Sequence, residues 1–184
     1  RGQLATLSKD KNPAFEVCDA RYWMAYTNGQ PAGRIAGIVN HRYNEDRGRK
    51  YMRFGWLDFI EDKKVLAALL GQVEQWGREL GLHSIHGPLG FSSFDASGVL
   101  VEGFEEMPTS FGRYNYPYYD AMIREAGYIK DIDWVEYTIE VPPIMPDKIA
   151  QFASLVSKRY GVRNAVLGKS GDLELYGRQV FGLI

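Results

Sequence analysis

Apolar and polar positions alternate in three stretches of the first sixty residues. Residues 22–26 are aromatic-rich and strand-like, and they run into Asn28-Gly29, the dipeptide that best supplies the two positive φ angles of a tight hairpin turn. Residues 33–40 (GRIAGIVN) form the returning strand, so an antiparallel hairpin is expected. Residues 41–50 (HRYNEDRGRK) read as a polar loop. Residues 51–59 (YMRFGWLDF) are a third strand, with Met52, Phe54 and Trp56 expected on one face and Arg53, Gly55 and Leu57 on the other. The period then changes. Val65, Leu69, Val73, Trp76 and Leu80 recur at steps of four and three, one face of a helix opened by Asp62 and closed by Gly81. Residues 82–86 make a short strand ending at Gly87-Pro88. Residues 88–116 keep no period, and a loop of that length in a compact domain is usually functional. Pro117 suits the first turn of a second helix, which ends before Gly127. A long strand is expected over 128–141, a Pro-rich break at 142–146, a helix over 147–160, a strand over 162–167 and a further helix from Asp172. The order is an antiparallel meander feeding a β-α-β unit, an α/β fold with a mixed sheet.

This pattern divides the chain into a domain over 1–141 and a linker with the start of a second lobe over 142–184. The chain opens at Arg1 and ends at Gly182-Leu183-Ile184 within an apolar pattern, so it is expected to be a fragment of a longer, two-lobed protein, with part of the N-terminal region missing.

Composition narrows the chemistry. Lys and Arg number 22 against 23 Asp and Glu, a net charge of −1, which disfavours a nucleic-acid binder because backbone phosphates demand a basic excess. Cys18 is the only cysteine, so an intrachain disulfide and a cysteine-clustered zinc site are excluded. A reduced, cytoplasmic setting is the expectation. No apolar run approaches the ~20 residues of a membrane span.

Among the histidines, His83-x-x-His86 falls on an expected strand, where residues three apart point to opposite faces, so no metal is expected. His41 follows a strand end and is a candidate general base. Glu102, in a Gly-rich apolar setting, is a second. Tyr114, Tyr116, Tyr118 and Tyr119 cluster with Arg113 and Asn115, and tyrosines, apolar in body and polar at the tip, often line pockets. A loop packed by its own aromatics and a base-stacking platform are the other readings of that cluster. Arg34, inside a strand next to Gly33, is expected to pair with Asp58 or Glu102 rather than to bind a substrate. Ser92 and Ser93 lack a Gly-x-Ser-x-Gly elbow.

The hairpin with GRIAGIVN, the third strand, the long helix, the second helix ending Glu125-Ala126-Gly127-Tyr128 and the last strand resemble the GNAT acyltransferase superfamily. A narrower resemblance is carried by Asn12-Pro13-Ala14-Phe15, Gly33-Arg34-Ile35-Ala36, Gly87-Pro88-Leu89-Gly90-Phe91-Ser92, Gly98-Val99-Leu100-Val101-Glu102-Gly103-Phe104 and Asn115-Tyr116-Pro117-Tyr118-Tyr119. More specifically, the chain is similar to large, poorly characterised bacterial GNAT-like proteins. The resemblance implies a mostly antiparallel sheet flanked by helices, and N-acyl transfer from acetyl-CoA or another acyl-CoA to an amine. It places the pyrophosphate at a Gly-rich turn before the long helix. Here that place reads Ile60-Glu61-Asp62-Lys63-Lys64-Val65, with no glycine between Gly55 and Gly71. Lys63, Lys64 and Asn115 remain as candidate cofactor contacts. The acid Tyr that the resemblance puts four residues before Gly127 is Ile123 here, which leaves Tyr118 or Tyr119. The alternatives are a catalytically degenerate ligand-binding or assembly lobe, and a peptidyltransferase-like protein dependent on aminoacyl-tRNA. A small-molecule amine acceptor and the second lobe of the same chain are the expected partners.

Overall fold

The computed structural model describes residues 2–109, 112–168 and 170–182. What the sequence leads one to expect at Arg1, at Leu183 and Ile184, and at residues 110 and 111 of the 88–116 loop lies outside the described residues. The described chain divides into two compact units, Arg1–Val135 and Glu136–Ile184.

The first unit is a mixed α/β layer structure. A short helix α1 (Gly2–Thr6) and a 3-10 turn (Pro13–Glu16) lead into β1 (Cys18–Thr27) and β2 (Gln30–Asn40). Asn28 and Gly29 between them take φ +52° and +77°, as the hairpin turn requires. A short helix α2 (His41–Asp46) follows, where a loop is expected. Asn40 starts it, because its side-chain oxygen accepts the Tyr43 N–H at 2.8 Å. Strand β3 (Tyr51–Phe59) pairs antiparallel with β2, then helix α3 (Lys63–Glu79) crosses over to β4 (Ser84–His86), which lies parallel to β3. The sheet order is β1-β2-β3-β4. Helix α3 starts on the Asp62 cap, whose carboxylate accepts the Lys64 N–H at 2.8 Å. Helix α4 (Tyr118–Glu125) follows Pro117 and buries Tyr119, Met122 and Ile123.

Strand β3 corrects the expected division of its faces. Arg34 pairs with Asp58 while Ala36 pairs with Gly55, so two steps on β2 oppose three on β3. This is a β-bulge, and Trp56 sits in it with φ +46°. One extra residue inverts the alternation. Met52 and Phe54 before the bulge, and Leu57 and Phe59 after it, all join the core under α3, with Ile35, Val39, Leu66, Leu69 and Val73. Trp56 turns to the opposite face, beside Cys18, Ala36, Ile38 and Phe91.

The pairing of β3 with β4 covers only Tyr51–Arg53 against Ser84–His86. Beyond it the chain stays close to β3 through backbone contacts, and Leu89 N–H donates to the Phe54 carbonyl at 2.7 Å. A Cβ on Gly87 would strike the Phe54 carbonyl and ring, and one on Gly55 the Leu89 carbonyl. Glycine at both positions is what permits the approach.

Two expected strands are absent from the described residues. Residues 128–141 carry no strand pairing, and Ile129, Trp134, Tyr137 and Ile139 are exposed. An alternating pattern becomes a strand only when a neighbour completes its hydrogen-bond ladder; here Tyr128 meets Phe54 and Asp131 meets His86 through side chains only, and no described strand pairs with the segment. Residues 162–167 are likewise unpaired. The second unit contains α5 (Asp147–Tyr160), closed by Gly161 at φ +64°, and α6 (Ser170–Phe181). Phe152 and Leu155 on α5 are exposed.

Candidate functional site

A cleft of about 460 Å³ opens on the sheet face opposite α3, within the range of small-molecule sites. Its floor comes from the strand ends beyond the bulge: Arg34 of β2, with Trp56 and Asp58 of β3. Phe94 and Asp95 of the long loop, Arg113 and Tyr114 before α4, and Gln3 and Thr6 of α1 complete the wall. The bulge makes this site. Without it Trp56 and Asp58 would face α3, and Leu57 would stand in the cleft.

The charges in the cleft are organised around Asp58. Arg34 Nε donates to Asp58 Oδ2 at 2.6 Å, as cross-strand partners in register can. Arg113 Nη2 lies 3.6 Å from Asp58 Oδ1 and donates to the Leu57 carbonyl at 3.0 Å. The Arg113 side chain is only 18 % exposed, against 41 % for Arg34. Asp95 is committed to its own turn, its Oδ2 accepting the Ser92 N–H at 2.9 Å.

The far edge of β3 is closed by tyrosines. Tyr118 donates its hydroxyl to the Phe59 carbonyl at 2.6 Å, while the Tyr119 hydroxyl accepts the Phe59 N–H at 3.2 Å. Both phenols are raised above their usual pKa, chiefly by burial, and for Tyr118 also by the neighbouring tyrosines Tyr119 and Tyr116. They therefore stay protonated through the neutral range. Tyr116 stacks on Tyr118, rings 5.6 Å apart and 10° from parallel.

The candidate residues do not all converge. His41, first residue of α2, holds Asp19 through Nε2 at 2.9 Å and is exposed. It lies seven residues beyond Arg34, about 23 Å at ~3.3 Å per strand residue. Glu102 is exposed on the long loop and does not line the cleft. Tyr118 and Tyr119 are brought together at the end of β3. Asn115, only 5 % exposed, closes the long loop on itself: its side chain accepts the Leu100 N–H at 2.6 Å and donates to the carbonyls of Leu100 and Tyr116. Lys63 pairs with Glu125 at 2.7 Å. His83 and His86 do not meet on a metal; His86 Nε2 contacts Asp131 at 2.8 Å. Among the described residues no group of three or more His, Cys, Asp or Glu side chains is placed to hold a metal ion. No helix there is long and apolar enough to cross a membrane.

The first turn of α3 does not fit a pyrophosphate. Asp62 already occupies the N-cap, takes the Lys64 amide, and puts a carboxylate where the helix end favours an anion. Trp56, Asp58 and Phe94 are not singled out as a site by their residue types alone. The sequence signals for the group are the expected pairing of Arg34 with Asp58 or Glu102 and the cluster of tyrosines with Arg113, of which Arg113 and Tyr114 line the cleft.

No family model and no solved structure matches the chain with significance. Two curated proteins do. Over 132 residues, 70 % of this chain and 34 % of the relative, it is 35 % identical to Protein YghO of Escherichia coli strain K12. Over 175 residues it is 26 % identical to the bacterial ceramide synthase of Caulobacter vibrioides, covering 95 % of this chain and 44 % of that protein. The chain thus spans less than half the length of either relative, and its similarity to the second runs through both of its compact units.

Proposed function

We propose that this chain forms part of an N-acyltransferase, GNAT-like in its fold, and that transfer takes place at the cleft beyond the β3 bulge. One observation carries the reading: the similarity to a ceramide synthase over 95 % of the chain. A ceramide is the amide of a fatty acid and a long-chain amino alcohol, so a synthase of it joins an acyl carbon to nitrogen. In the proposed reaction an amine attacks an activated acyl group, a thioester in the simplest case. The C–N bond forms, the C–S bond breaks, and the sulfur leaves as thiolate, which finally takes up the proton that the nitrogen gives up. The nitrogen sheds one proton. Asp58 is the group we assign to orient the amine and receive that proton, because its carboxylate keeps lone pairs beyond those used by Arg34 and Arg113. Arg34 and Arg113 hold it in place.

Acyl-CoA remains a candidate donor in this reading, but no step relies on its pyrophosphate resting on α3. The carboxylate-capped helix favours a second reading as well, a lobe that binds ligand in the same cleft without turning it over. Acyl transfer by the full-length protein, followed by thiol release, separates the two. The donors are palmitoyl-CoA and the palmitoyl thioester of pantetheine, offered with a long-chain amine. Transfer from both at comparable kcat/KM is the expected result, and Asp58→Asn lowers it by about 10²-fold. Absence of thiol release with either donor and a range of amines would refute the enzymatic reading.

A further inference from the structure

The cleft carries a recognition element that N-acyl transfer by itself does not require. Arg34 spends only Nε on Asp58; among the described residues its two terminal nitrogens take no hydrogen-bond partner. That outer edge of a guanidinium is the planar, two-pronged donor that fits a carboxylate or phosphate. Arg34 and Arg113 face a single carboxylate, Asp58, and Asp95 is turned into its own loop. The cleft lining carries two guanidiniums, Arg34 and Arg113, and two carboxylates, Asp58 and Asp95, so what an approaching anion meets is no net charge but the outer edge of the Arg34 guanidinium, with Asp58 held on its inner side.

Apolar surface lies directly behind this head site. Met24, Arg34 and Asp58 are register partners across β1, β2 and β3 and share one sheet face. Tyr22 stands two residues from Met24 on that face, and Trp56 two from Asp58. Met24 is 51 % exposed and Tyr22 44 %. Phe94 and Tyr114 stand on the cleft wall, while Met24 and Tyr22 extend the same sheet face beyond the cleft lining, on the β1 side of Arg34. Exposed apolar surface on the same sheet face as a charged recess fits a molecule that is itself divided into a charged head and an apolar chain.

We propose that the cleft recognises an acyl acceptor that carries an anionic group, carboxylate or phosphate, beside its amine, with an apolar chain lying along Trp56 and Met24. This assignment rests on the acyl-transfer reading for the word acceptor, while the anion and chain subsites stand on the cleft itself. Arg34 is the specificity-determining residue; Asp58 remains with the amine.

Binding and turnover test the two parts separately. Tryptophan fluorescence of the full-length protein follows titrations with dodecyl phosphate, dodecanoate, dodecylamine and inorganic phosphate. Dodecyl phosphate and dodecanoate are expected to bind at least 10-fold more tightly than dodecylamine, and than inorganic phosphate, which lacks the chain. Arg34→Ala weakens both anionic amphiphiles at least 10-fold, Arg34→Lys recovers part of the loss, and Met24→Ser weakens the amphiphiles while leaving inorganic phosphate unchanged. Circular dichroism confirms that each variant is folded, and Arg34→Gln serves if Arg34→Ala is not. Equal binding of dodecylamine, or no effect of any folded Arg34 variant, overturns the anion subsite. Inorganic phosphate binding as tightly as dodecyl phosphate overturns the chain subsite. In turnover, 2-aminododecanoate is expected to be acylated with at least 10-fold higher kcat/KM than dodecylamine. Equal or faster acylation of dodecylamine overturns this inference and leaves the acyl-transfer reading intact. Anion binding through Arg34 without acylation of either amine overturns the acceptor role together with that reading.

Discussion

The two faces of the sheet in the first unit are built from alternate residues of the same strands, yet they are made for different ends. The face under α3 is apolar and closed at its centre, where Ile35, Val39, Met52, Phe54 and Leu57 meet Leu66 and Val73, all buried, and Arg21 borders it with its guanidinium over the Trp76 ring. The opposite face is divided. Near the start of β1 it is sealed by Cys18, Ile38 and Phe91 under the N-terminal segment. Toward the end of β3 it opens into the Arg34–Asp58–Arg113 cleft. Only a bulge separates a strand that would bury its polar residues from one that presents them. Stability is concentrated on one face, so the other can hold charges and half-exposed aromatics without loss of the fold.

The sharpest way to break this contrast is to remove side chains from each face in turn. Phe54→Ala empties a fully buried site under α3 and is expected to lower unfolding free energy by about 3–5 kcal/mol in urea titration. Trp56→Ala, on the half-buried side of the same strand, should lower it by less than half as much; equal losses would abolish the asymmetry. Next in size is Asn115→Ala. It strips the long loop of a buried side chain that satisfies both backbone groups of Leu100, and a loss of up to about 3 kcal/mol is expected. Hydrogen exchange at Leu100 would show the loop loosening first. Tyr119→Phe deletes the acceptor for the buried Phe59 N–H and should cost about 1 kcal/mol, read from the same titration. An unchanged midpoint would mean that the strand end takes another partner.

The smallest expected effect is on the alkaline limb of stability. Burial pushes the Tyr22 phenol from 10.0 to about 12, and its hydroxyl donates to the Leu7 carbonyl. The folded chain therefore holds this proton more tightly than the unfolded one. The contribution is fully present below pH 10 and is lost as the pH rises toward 12. Tyr128 acts in the same direction, its phenol raised by burial and by Glu74. Urea midpoints measured at pH 8 and pH 11 should differ less in Tyr22→Phe than in the parent chain. A slope unchanged in both Tyr22→Phe and Tyr128→Phe would contradict this assignment.

Much of the fold was legible in the sequence because its signals are local. Asn28-Gly29 specifies the hairpin, the Val65–Leu69–Val73–Trp76 spacing with Asp62 and Gly81 delimits α3, and α5 runs over 147–160 as its period predicts. The candidate site was legible only in fragments. The Arg34–Asp58 pair was one of two expected partnerships, and Tyr114 does line the cleft. Asn115 and Lys63, expected at a cofactor, hold a loop and a helix neighbour instead. Residues 128–141 show why periodicity alone falls short: the alternation is strong, and no described strand pairs with it.

From its sequence this chain determines where helices begin and end, which turn joins β1 to β2, and that one helix face and alternate strand positions must be buried. Those follow from backbone sterics, capping and hydrophobic spacing within a few residues. Tertiary structure decided where β3 slips by one residue against β2, and hence that Leu57 goes to the core while Trp56 and Asp58 go to the cleft. That choice depends on partners more than twenty residues away in the chain, whose packing against α3 and against Leu89 no local pattern encodes.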